Sequence, residues 1–284
     1  MEIIDSHIHC FKEDSAQNLA QKAGHENSIE HLRGEYARLG IIGAVVMGNR
    51  TLALEDHVYP EFMRYCIGLD SYTEWKSDIK NTYDFIERHL QRETCVGVKL
   101  YPGYNHLYIS DEIYTPVYEL TQRYEKSVAV HTGDTLFPIA KLKYCHPLTL
   151  DEVAASFPKV QFVMCHLGNP WLVDAAAVIS KNPNVAADLS GLFVGVLDVP
   201  AFFCERAGYI KHISTWLAYM GDYDRLMFGT DWPIANIQNY IDFTSRLIPE
   251  KHHEKVFSDN AGRIYGLNFP KNQPRAQMLA APST

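Results

Sequence analysis

Apolar positions along this chain follow two alternating patterns. Short runs rich in Val and Ile, apolar on both faces, occupy residues 2–9, 41–47, 65–70, 95–101, 127–131, 160–166, 185–189 and 225–231. Such runs are the signature of strands buried in a parallel sheet. Between them the spacing changes to three and four. Ile29, Leu32, Tyr36 and Leu39 share one helical face, with Ser28 placed to cap its start and Gly40 to stop it. Ile79, Tyr83, Ile86 and Leu90 form the next stripe, after Ser77. Thr115-Pro116 reads as an N-cap with proline at the first helical position. Thr149 with Glu152 reads as a capping box before Val153 and Phe157. Ile210, Ile213, Leu217 and Met220 mark the helix before the last strand. Eight strands alternating with helices predict a (β/α)8 TIM barrel, one domain over residues 1–267. A doubly wound sheet is the competitor, but no G-x-G-x-x-G or P-loop follows any of the runs. Residues 191–224 exceed a plain connection and are expected to combine an active-site loop with a helix. From 268 to 284 the pattern is lost, which predicts an irregular tail.

Composition narrows the function classes. The chain has 284 residues, 46% hydrophobic and 21% charged, which describes a globular protein. A formal net charge of -8 without a basic run argues against nucleic acid as partner. No stretch approaches the about 18 apolar residues of a membrane span, and the start, Met1-Glu2-Ile3-Ile4-Asp5, lacks the form of a signal peptide. Six cysteines without a C-x-x-C pair read as reduced thiols, mostly in the core, so a cytoplasmic location is expected. There the sequon Asn49-Arg50-Thr51 would meet no glycosylation machinery. The partner expected is a small-molecule substrate; a homo-oligomer stays open.

The chemistry gathers where the runs end. His7 and His9 close the first run two residues apart, so both imidazoles face the same way. The fourth run ends in Lys99 and Tyr101, the fifth in His131, the sixth in His166 and the eighth in Asp231-Trp232-Pro233. A polar side chain ending a buried strand is costly unless paired or ligating. Histidines, a lysine and a carboxylate at one barrel mouth are a donor set for a divalent metal. Cys165, next to His166, is expected to point the opposite way, under the helices.

This set of H-x-H, strand-five His, strand-six His and strand-eight Asp resembles the amidohydrolase superfamily. The strings Val130-His131-Thr132-Gly133, Asp188-Leu189-Ser190-Gly191 and Phe228-Gly229-Thr230-Asp231 are similar to its aminocarboxymuconate-semialdehyde decarboxylase-like branch. The resemblance implies one divalent metal, zinc, on His7, His9, His131 and Asp231. Asp231 would also take a proton from the attacking water, and His166 would be an acid/base or a further ligand. Lys99 is open between a carboxylated bridge to a second metal, an anchor for a substrate carboxylate and a plain rim charge. Arg50 is a candidate grip for an anionic substrate or else a surface arginine. Tyr101, His106 and Trp232 are candidate pocket walls or core packing, and Asp188 a support for the metal shell. The activity implied is hydrolysis of an amide, ester or lactone in a small, carboxylate-bearing substrate. The alternative is non-oxidative decarboxylation or hydration of an unsaturated or aromatic acid, and a barrel that has lost catalysis is the third reading.

Overall fold

A computed structural model of the protein describes residues 1–11, 14–70 and 75–269. All eight predicted runs are strands: β1 (Ile3–Ile8), β2 (Ile41–Met47), β3 (Met63–Leu69), β4 (Cys95–Leu100), β5 (Ser127–Val130), β6 (Phe162–Met164), β7 (Val185–Asp188) and β8 (Leu226–Met227). They pair in parallel in sequence order. β8 then returns to β1, with Ser6 N donating to Phe228 O at 3.0 Å, Asp231 N to His7 O at 2.9 Å and His9 N to Trp232 O at 2.7 Å. The chain is a TIM barrel.

Inside the barrel Ile4, Val45, Met47, Val96, Val163 and Met227 pack against one another. The helices bury their stripes against the outer faces of the strands, where Leu32, Tyr36, Ile86 and Leu90 belong to the larger apolar cluster. Helix ends follow local chemistry. Ser28 accepts from His31 N, and Gly40 ends that helix at φ 78°, a left-handed conformation that costs glycine little. The next helix, Ile79–Leu90, is capped by Asp78, one residue later than expected. Helix Thr115–Arg123 begins with Thr115 itself, preceded by Tyr114. Thr149 lies inside helix Leu148–Ser156 and donates its hydroxyl to His146 O, so the expected capping box does not form. Residues 191–224 hold a loop and two helices, Val199–Glu205 and Ala207–Met220.

The lower end of the barrel is closed by Ala261, Ile264, Tyr265 and Phe269. Phe269 presses on Gly43 so closely that a Cβ there would meet its ring at 2.4 Å. Ordered packing therefore runs two residues past the expected boundary, and the rest of the predicted tail, 270–284, lies outside the described residues. Among the described residues no helix is long and apolar enough to cross a membrane.

Candidate metal centre and active-site cavity

Pleat alternation alone would not put His7 inside the barrel. Asp5, two residues earlier, faces outward and accepts from Tyr36 Oη on the neighbouring helix at 3.0 Å. The register between β1 and β2 shifts between Asp5 and Ile8, giving β1 one extra residue. Such a bulge re-aims the side chains that follow it, and His7 and His9 both turn to the mouth. Asp231 reaches the same point from the neighbouring strand end, across the β8–β1 seam, at φ 58°, a conformation that Asp tolerates better than most residues. Its neighbour Thr230 donates N–H and hydroxyl to Asp5 at 2.9 and 2.6 Å. Asp5 thus ties the strand carrying the histidines to the segment carrying Asp231.

His9 Nε2 lies 3.2 Å and His7 Nε2 3.6 Å from Asp231 Oδ1. His7 Nδ1 bonds Asp188 Oδ2 at 2.9 Å, so its proton belongs there and Nε2 presents a lone pair. That Nε2 is buried and has no hydrogen-bond partner, a costly state for a polar atom unless something else binds it. Burial, helped by the Lys99 charge, pushes the His7 imidazole down to about 4 against the pull of Asp188. Burial alone would raise the Asp231 and Asp188 carboxyls, but the surrounding histidines hold both well below the carboxylate range. Neutral imidazoles and ionised carboxylates are the protonation states a metal requires. His7, His9 and Asp231 can hold one. The donor set fits.

His131 stands in the same mouth but outside this trio. Its Nδ1 faces His166 Nε2 at 3.1 Å and its Nε2 faces Asp134 O at 3.0 Å. His166 Nδ1 is in turn 2.8 Å from Ser190 Oγ, whose hydroxyl also bonds Asp188 Oδ1. Burial lowers both imidazoles, so each carries one proton near neutral pH. A carboxylate and a carbonyl, which can only accept, end the chain. Its four contacts then share three protons, one each from Ser190, His166 and His131. The row has room for one more.

The mouth opens into a cavity of about 240 Å³. His9, His131, His166 and Asp231 form its polar side, and Phe11, Tyr101, Tyr104 and Phe137 its aromatic side. Tyr101, expected at the pocket wall, is there, its hydroxyl donating to Gly48 O at 3.2 Å. Four other residues expected at the substrate or the pocket wall lie elsewhere. Lys99 is fully buried beneath the mouth, its ammonium 2.8 Å from Cys165 Sγ and 5.2 Å from the Tyr101 ring centre. Arg50 turns away from the cavity, donating to Asp56 O of its own loop and to Cys10 O after β1, and covering Tyr59. Trp232 packs in the larger apolar cluster outside the barrel interior, against His25 and His31. His106 bonds Ile139 O and stacks on Tyr144. Cys165 is inside the barrel, not under the helices. β6 ends at Met164, and left-handed turns at His166 and Leu167 break the alternation on which the expectation rested.

The amidohydrolase family's sequence model matches residues 4–267. The chain belongs to the amidohydrolase family. No curated protein matches it. Among solved structures this amidohydrolase is similar to an amidohydrolase from Burkholderia multivorans with bound zinc, at 16% identity, TM-score 0.65, covering 94% of this chain and 100% of that one. It is similar to 5-carboxyvanillate decarboxylase from Sphingomonas paucimobilis at 13% identity, TM-score 0.64, covering 94% and 99%. A probable 2-pyrone-4,6-dicarboxylic acid hydrolase from Acinetobacter baumannii shares 14% identity, TM-score 0.61, over 94% and 100%. At these identities the likeness is one of fold.

Asn49, Asp70, Tyr104 and Ser190 are site residues that the motifs did not single out. Asn49 and Asp70 had a readable signal. Met47 faces the barrel interior, so Asn49, two positions further, continues on that side, and Asp70 directly follows β3.

Proposed function

We propose that this amidohydrolase is a metal-dependent hydrolase acting on the ester, lactone or amide carbonyl of a small, uncharged, largely apolar substrate. The observation that carries the reading is the convergence of His7 Nε2, His9 Nε2 and Asp231 Oδ1, with the first buried and unbonded. A divalent metal held there, zinc being the one we expect and one per chain, would polarise the carbonyl and bring the pKa of a water toward ~7. Asp231, ionised, takes up the proton that the water gives. Its Oδ2 lies 3.9 Å from His166 Nδ1, so the proton can pass to the imidazole row, which has a place for it. The leaving group draws it from His166 or His131. Phe11, Tyr104 and Phe137 hold the apolar part of the substrate and keep bulk water from the carbonyl.

The positions of Lys99 and Arg50 change the substrate expected. Beyond the metal itself, a grip on a carboxylate-bearing substrate would need a side-chain cation in the cavity; among the described residues no lysine or arginine lines it, and both candidates are engaged outside it. Asp70 and Asp134 line the cavity beside Asp231 and would repel such a substrate. The decarboxylase reading draws on the likeness to 5-carboxyvanillate decarboxylase, and the same carboxylates weigh against it. Zinc-loaded protein should turn over p-nitrophenyl esters or simple lactones and leave aromatic carboxylates untouched. Release of CO2 from an aromatic acid, with esters and lactones inert, would reverse the assignment.

A further inference from the structure

We infer that Asn49 is a positioning residue for His9, holding the imidazole in the tautomer that offers Nε2 to a metal, with Asp70 setting which way the Asn49 amide faces. The inference rests on the reading of His7, His9 and Asp231 as the metal centre. Asn49 sits between the two other groups. Its Nδ2 is 3.1 Å from Asp70 Oδ2, and its Oδ1 bonds His9 Nδ1. An amide has one accepting and one donating end, and a carboxylate oxygen accepts. The Asp70 contact therefore claims the NH2 and leaves Oδ1 for the imidazole. His9 Nδ1 also faces Met47 O at 3.2 Å, a second group that only accepts. Two acceptors on one ring nitrogen require the proton to be there, so Nε2 carries the lone pair.

The two ligating histidines are thus oriented by different means. His7 receives a carboxylate directly, from Asp188. His9 receives a carboxylate at one remove, through an amide that transmits direction but no charge of its own. Groups that fix the far nitrogen of a ligating histidine set both its orientation and its basicity. The arrangement also couples the centre to the cavity, because Asn49 and Asp70 line it. A substrate that displaces the Asn49 amide acts on His9 without touching the metal.

The test is zinc affinity, measured by competition with a chromogenic chelator on the full chain, with no substrate present. Asn49→Ala should weaken zinc binding by about 10–100-fold, with circular dichroism unchanged. Asp70→Asn should weaken it too, because an amide facing an amide no longer dictates the direction of Asn49. The exchange variant carrying both Asn49→Asp and Asp70→Asn keeps an acceptor toward His9 and a donor behind it, and should regain most of the lost affinity. In cobalt-loaded protein the visible absorption of Asn49→Ala should change as His9 leaves the metal, and the exchange variant should restore it. Zinc binding by Asn49→Ala as tight as wild type overturns the inference, as does an exchange variant no tighter than Asn49→Ala. A wild-type chain that binds no zinc overturns the metal reading along with it.

Discussion

The proposed function gives Asp231 two duties that a single substitution can separate. As a ligand it needs only an oxygen facing His9, whereas as a base it must accept a proton, which an amide oxygen does far less readily. Asp231→Asn should therefore lower turnover by about 10²–10⁴-fold, with a smaller loss of zinc. Steady-state kinetics beside elemental analysis measures both, and near-normal turnover would remove Asp231 from the chemistry. His7, His9, His131, His166 and Asp231 were legible in the sequence because each is polar at the end of an apolar run, where burial demands a partner. Their pairings were not, since whether His131 faces His166 or Asp231 depends on ring rotation. Lys99 and Arg50 misled for a related reason. A long flexible side chain starts at the mouth but is free to end at Cys165, or at backbone carbonyls of its own loop and of the segment after β1.

The loop after β7 acts as a press on His166. Gly191 is at φ 64°, and a Cβ on it would stand 2.5 Å from His166 Nδ1. Left-handed backbone costs an alanine roughly 1–2 kcal/mol, and the ring would also have to leave Ser190. Gly191→Ala should keep its zinc, held by His7, His9 and Asp231, while losing most of its turnover. Unchanged kcat beside normal metal content would mean that His166 is not needed where it stands. At this scale the strands were readable because short runs apolar on both faces and rich in Val and Ile, alternating with helical stripes, suit a parallel sheet. The turn Cys165–Gly168 was not, because His166 and Leu167, neither of them a glycine, adopt left-handed backbone ahead of Gly168. Thr149 and Glu152 had the spacing of a capping box, yet the helix starts earlier, at Leu148.

Across the molecule, burial makes the fold sensitive to acid. An unfolded imidazole titrates near 6.5, but burial pushes His7, His25 and His89 down to about 4. Between those values the unfolded chain binds protons that the folded chain refuses, so stability present above pH 6.5 is lost as pH falls toward 4. Asp5 acts in the opposite sense, since burial raises its carboxyl from 3.8 to about 7 and the folded form then holds the extra proton. One carboxyl against three imidazoles leaves a net loss in acid. The thermal midpoint of the metal-free protein should fall as pH is lowered from about 7 to about 4.5. Circular dichroism melts would show it, and a midpoint that rises over that range would contradict the reading.

The seam between β8 and β1 has a consequence in time as well as in space. Ser6 and Phe228, which meet across it, are 222 residues apart, and the trio His7, His9 and Asp231 straddles the same seam. During synthesis the two histidines leave the ribosome long before the carboxylate exists. A nascent chain therefore carries two of the three groups through most of translation, and one that stops before residue 231 never acquires the third. If the trio holds a metal as proposed, capture by all three groups is confined to chains that have been read through β8 and have closed their barrel. In a mixed population of products, tightly held metal would mark the finished molecules.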